Sequence, residues 1–199
     1  MNTVAKTIAT TFEQKNYRFF DSGKKFNLNI FGVRNNGPVN TFSDFLCVLY
    51  RNEWNEWQLY QWPGTTKPGG PALRMPKNVK GTGILVPDQY LGAYKIDKHQ
   101  GKYDALCQRL GKVRAYRDND RDNAFDLDPA TIEEDFFGAN IHKALRDTPL
   151  VNEWSYLCQV FKRDSDFNRF MAIVNFAAKE WGNKFSYTLF EQHDFNPRL

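Results

Sequence analysis

Long hydrophobic runs are missing from this chain of 199 residues. No apolar stretch approaches the roughly 20 residues that a membrane-crossing helix needs, so no such helix is expected. Cysteine is scarce: there are three, far apart, with no CxxC pair. A disulfide framework or a structural zinc site is therefore not expected, and at least one thiol should be free. Lysine and arginine are scattered rather than gathered into a dense basic stripe, which argues against a nucleic-acid partner. Met1 to Gln14 is threonine-rich and lacks the apolar segment of a signal peptide, so the expectation is a chain made and kept in a cytoplasm. Internal repeats and low-complexity linkers are also missing.

What is present points to one domain spanning residues 1–199, of mixed α/β class and rich in strand. Hydrophobic residues make up 41% of the chain and aromatics 16%, too many for a disordered polypeptide. Aromatic side chains pack well on a pleated surface, which favours strands. The net charge of +4 permits attraction to an anionic polymer without requiring one. Residues 1–25 read as an extended N-terminal segment.

Alternation over Phe26 to Val33 predicts a half-buried strand, broken by Asn35-Asn36-Gly37-Pro38. Ser43 to Arg51 and Glu56 to Gln61 read as an antiparallel pair. Trp62 to Pro76, with four prolines and three glycines, reads as a functional loop. Gly83 to Pro87, Leu91 to Ile96, Lys112 to Arg117, Phe136 to His142 and Lys184 to Phe190 complete the expected strands. Lys102 to Leu110 carries apolar residues at 103, 106, 107 and 110, a helical spacing closed by Gly111. Asp166 to Trp181 gives the clearest helix, with Phe167, Phe170, Met171, Val174, Ala177 and Ala178 on one stripe and Gly182 at its stop.

A thiol of pKa about 8.5 needs a neighbouring base to become a nucleophile. Of the three histidines, His99 lies in a polar turn and His193 in the C-terminal tail, both expected at the surface. His142 ends an apolar strand, where a site can be held rigidly. Cys47 lies in a buried strand and Cys107 on the apolar face of the expected short helix, so both read as core. Cys158 follows Trp154-Ser155-Tyr156-Leu157 and precedes the long helix; core residue and nucleophile are both open for it.

The stretch Phe136 to Phe176 resembles the catalytic domain of L,D-transpeptidases. Those enzymes carry a histidine near a strand end, then a loop, then Ser-His-Gly-Cys followed by a short strand and a helix. Here Ile141-His142, a loop through Pro149 and Ser155-Tyr156-Leu157-Cys158 stand in that order, with sixteen positions between His142 and Cys158. The resemblance implies a transpeptidase-like β-sandwich or barrel with one long C-terminal helix. It implies Cys158 as nucleophile, His142 as base and Ser155 as a positioning hydrogen-bonder, with Tyr156 in the place of the motif histidine. Leu157 replaces the glycine before the cysteine, where a side chain would crowd the thiol and its oxyanion hole. The chain is also similar to uncharacterised proteins of tailed bacteriophages, in Phe137-Gly138-Ala139-Asn140-Ile141-His142 and in Trp154-Ser155 with Cys158-Gln159-Val160.

On this reading, the chain is a phage-encoded Cys–His enzyme that cleaves or exchanges peptidoglycan stem-peptide bonds through a thioester. Trp62, Thr65, Thr66 and Asn140 would line the substrate groove. The alternative is a catalytically inactive virion structural or cell-wall-binding protein of the same fold, which Leu157 favours. The implied partners are bacterial peptidoglycan and other virion proteins, with no nucleic acid and no membrane. The protein would be made in the host cytoplasm and act at the cell wall or in a virion. No cofactor is required, but Asp118, Asp120, Asp122 and Asp126 alternate as at the start of a calcium-binding loop. Pro129 occupies the position of that loop's final glutamate. The other reading of the segment is an acidic turn with Arg117 and Arg121 as counter-ions.

Overall fold

Alternating side chains give this chain two cores. In β2 (Asp44–Arg51), Leu46, Val48 and Tyr50 enter the larger core, while Cys47 and Leu49 enter a smaller one on the other face. The computed structural model describes residues 1–146 and 148–195. Eight strands close into a barrel: β1 (Asn29–Arg34), β2, β3 (Trp57–Thr65), β5 (Gln89–His99), β6 (Tyr103–Gln108), β9 (Ile141–Lys143), β10 (Gln159–Phe161) and β11 (Phe185–Glu191). Their order around the barrel is β1-β11-β5-β6-β9-β10-β3-β2. Two neighbouring pairs run parallel, β1 with β11 and β9 with β10. Each of the eight strands sends residues into the larger core, as expected of a small barrel whose interior is filled by side chains. A separate antiparallel sheet holds β4 (Thr82–Leu85), β7 (Val113–Asp118) and β8 (Glu133–Asp135) in the order β4-β7-β8.

The long helix forms where its stripe predicts it, as α3 (Asp164–Trp181), with Asp164 and Asp166 in its first turn and Gly182 at its end. Phe167, Phe170, Met171 and Val174 enter the larger core, where Phe170 meets Phe161 and Trp62 at ring distances of 5.0 and 6.2 Å. The expected β2–β3 hairpin is also present, with eight residue pairs in register.

The N-terminal segment is not extended: Thr3–Gln14 is a helix, α1. Asn2 caps it, accepting the Ala5 N–H at 2.9 Å. Ala5, Ile8, Ala9 and Phe12 form its buried stripe. That stripe covers Phe31, Cys47, Leu49 and Phe190 on the outer barrel wall. Fully burying Ile8 and Phe12 contributes roughly 1.5–3 kcal/mol each.

Lys102 to Leu110 is likewise not a helix but strand β6. Gln100 and Gly101 both have positive φ, at 50° and 72°, and Lys102 N–H donates to the His99 carbonyl. Three residues, Gln100, Gly101 and Lys102, thus join the two strands in a tight hairpin connection. It sets six β5–β6 pairs, from His99 with Tyr103 to Tyr94 with Gln108. The apolar positions fit a helical face, but the tight turn commits the segment to pairing. Two further expectations shift. Trp62 to Pro76 is not all loop, since β3 runs to Thr65 and Gly70–Arg74 forms a short helix, α2. Phe136 to Asn140 is irregular, turned by Gly138 at φ 72°, and only Ile141–Lys143 is strand.

Candidate functional site

β9 and β10 decide where His142 and Cys158 stand. Their register aligns Gln159 with Ile141 and Val160 with His142. Cys158 immediately precedes β10, so the parallel pairing brings it into the neighbourhood of β9 and His142. His142 is not at a sheet edge, because β9 lies between β6 and β10.

The two side chains do not bond each other. His142 Nδ1 lies 2.9 Å from the Lys143 carbonyl oxygen. A carbonyl only accepts, so Nδ1 carries the proton and Nε2 holds the lone pair. Cys158 Sγ donates to the Gly138 carbonyl at 3.5 Å. Burial, and then the neighbouring His99, push the His142 pKa down to about 3. Burial pushes the Cys158 thiol up to about 11. A base this weak cannot hold a proton taken from a thiol this weakly acidic, so the resting pair is neutral on both sides.

His99 is the residue that the sequence reading missed. It is buried at 6% exposure, and its ring stacks on that of His142 with centroids 4.1 Å apart and planes at 23°. Asn140 sets its tautomer. The Gln108 N–H donates to Asn140 Oδ1 at 3.0 Å, which turns Asn140 Nδ2 toward His99 Nδ1 at 3.1 Å. His99 Nδ1 therefore accepts, and Nε2 carries its proton. Gln108 is held in turn: its Oε1 accepts the Gly138 and Ala139 N–H groups, and its Nε2 donates to the Gly111 and Asp135 carbonyls. Burial, then Arg109 and Lys102, lower the His99 pKa as well. The tight turn after His99 was the available signal, since a hairpin there places His99 on a strand beside β6.

Both histidines line a cleft of about 670 Å³ with Tyr103, Lys102, Arg146 and Glu153. Cys158 is not among its lining residues. Ser155, fully buried, donates through Oγ to the Cys158 carbonyl at 2.8 Å and so holds the turn, not a substrate. Tyr156 carries the Lys77 ammonium over its ring at 4.0 Å. Leu157 does not crowd the thiol; it points into the larger core, filling the space over Gly83, where a Cβ would meet Leu157 Cδ1 at 3.1 Å.

The expected groove residues are committed elsewhere; Asn140, held between Gln108 and His99, does not line the cleft, and the other three are bonded away from it. Trp62 stacks on Tyr60 at 5.4 Å inside the core. Thr65 Oγ1 donates to the Lys67 carbonyl. Thr66 Oγ1 donates to Asp44 Oδ2 and accepts from Arg34 Nε, within a buried network in which Lys67 pairs with Asp44 at 3.3 Å. None of the three lines the histidine cleft.

Of the four aspartates read as a calcium loop, Asp118, Asp120 and Asp126 place carboxylate oxygens within 4.8 Å of one another. Asp122 is not part of that group; its Oδ1 accepts the Ala124 N–H. No family model, curated protein or solved structure matches the chain.

Proposed function

We propose that the chain is a binding protein without Cys–His catalysis, a virion-type or cell-wall-binding component whose ligand enters the cleft beneath the His99–His142 stack. One observation carries this reading: His142 and Cys158 each bond a main-chain carbonyl of their own neighbourhood and not each other. The depressed imidazole and the raised thiol both disfavour the thiolate that acyl transfer needs. The cleft suits recognition instead. It combines neutral imidazole faces and the Tyr103 ring with Lys102 and Arg146 at its border, a surface for the sugar and carboxylate groups of peptidoglycan.

The test is co-sedimentation with purified sacculi, together with an assay for soluble fragments. The expected result is retention that Lys102→Ala with Arg146→Ala weakens at least tenfold, and no release of fragments. Absence of retention overturns the cell-wall partner. Fragment release that Cys158→Ala abolishes overturns the non-catalytic reading.

The Cys–His enzyme remains as a second reading, supported by the parallel pairing of β9 with β10, which begins one residue after Cys158. It requires a substrate-bound rearrangement that turns the thiol from the Gly138 carbonyl toward the imidazole.

A further inference from the structure

We propose that Asp118, Asp120 and Asp126 form a calcium-binding site that closes the loop after β7 onto the end of that strand. Asp118 ends β7 and is 1% exposed, so the strand fixes its position at the base of the loop. Its Oδ2 accepts the Asp126 N–H at 3.0 Å, which folds the loop back on itself. Its Oδ1 is buried with no hydrogen-bond partner among the described residues. A buried carboxylate oxygen without a donor is costly, and native proteins rarely leave one so. Asp120 and Asp126 bring two exposed carboxylates to the same point.

Among the described residues, none of these three carboxylates pairs with a lysine or arginine. Arg117, the residue next to Asp118, is spent on Glu133 at 2.9 Å. Three like charges are thus gathered with no protein counter-charge, and a cation is what would hold them there. The spacing suits calcium. Two oxygens on opposite sides of a calcium ion stand about 4.6–5.2 Å apart, and the three here lie within 4.8 Å. Calcium also accepts irregular ligand sets completed by water, whereas magnesium demands near-ideal octahedral geometry and dehydrates reluctantly. The same loop is held at two other points, Asn123 with Arg74 of α2 at 2.8 Å and Phe125 under the Lys67 ammonium. An ion at its base would lock both contacts.

Thermal unfolding of the full chain in CaCl₂, against MgCl₂ and NaCl at matched ionic strength, tests the site. With calcium near a hundredfold over its Kd, the wild-type Tm should rise by roughly 5–10 °C. Asp118→Asn should fold, since the amide oxygen can still accept the Asp126 N–H, and its Tm should be indifferent to calcium. Asp120→Asn and Asp126→Asn, both at exposed positions, should weaken calcium binding at least tenfold by calorimetry, which keeps the test valid if Asp118→Asn does not fold. Asp122→Asn should respond as the wild type does. The proposal is overturned by no wild-type shift at millimolar calcium, by an equal shift with magnesium, or by an undiminished response in the Asp118, Asp120 and Asp126 variants.

Discussion

The imidazoles of His99 and His142 stack at 4.1 Å with opposite tautomers, one protonated on Nε2 and the other on Nδ1. Asn140 imposes the first by donating to His99, and the Lys143 carbonyl imposes the second by accepting from His142. Burial lowers the pKa of both rings, and a proton on His142 would also be repelled by a charge on His99.

Acid should therefore destabilise the fold before its carboxylates titrate. An unfolded histidine binds a proton below about pH 6.5. Folded His142 does so only near pH 3. Between those values the unfolded state holds more protons, so stability rises with pH and is fully present above about 6.5. Chemical denaturation at pH 7, 6 and 5 should show a loss of up to about 1.4 kcal/mol per unit from His142. His142→Phe should flatten that slope; an unchanged slope would place the titration elsewhere.

Cys158 should alkylate slowly. With its pKa near 11, its thiolate fraction at neutral pH is roughly 300-fold below that of a free thiol. Iodoacetamide labelling followed by mass spectrometry should find it sluggish, and His142→Ala should leave its rate within about twofold. A rate near that of a free thiol, lost in His142→Ala, would show a working pair.

Leu157→Gly should not create activity. Leu157 is 7% exposed and packs over Gly83 in the larger core. Its removal leaves a cavity and adds backbone freedom, at a combined cost of about 3–5 kcal/mol. Denaturant midpoints measure this directly, and a loss under 1 kcal/mol would mean that the side chain is not a core element.

Asn140→Asp should raise the His99 pKa. The amide that donates to Nδ1 becomes a carboxylate that only accepts, so a proton on Nδ1 is favoured. NMR titration of the His99 ring should move upward by at least one unit, while Asn140→Ala should destabilise by about 2–4 kcal/mol through the orphaned Gln108 N–H and His99 Nδ1. An unmoved His99 titration would break the proposed chain from Gln108 to His99.

Local pattern determined by itself the elements whose signals lie within one segment. The stripe from Phe167 to Ala177 made α3, which buries it in the larger core, and the two apolar segments within Ser43 to Gln61 made the β2–β3 hairpin, whose two faces enter the two cores. Segments with two readings were settled by their neighbours. Tyr103, Leu106 and Cys107 fit a helical face as well as a strand, and the Gln100-Gly101 turn beside β5 selected the strand. Met1 to Gln14 showed threonines where the outer faces of β1, β2 and β11 required a helix to cover them. The candidate site was legible only in part: His142 and Cys158 stood out as residue types in sequence, but their state did not. Hydrogen bonding and burial are properties of what surrounds a side chain, and those surroundings come from β5, β6 and the irregular Phe136 to Asn140 stretch. Only the tertiary structure could bring His99 onto His142 across 43 positions of chain and turn Cys158 toward the Gly138 carbonyl, so it decided that two reactive residue types rest as neutral partners of the backbone.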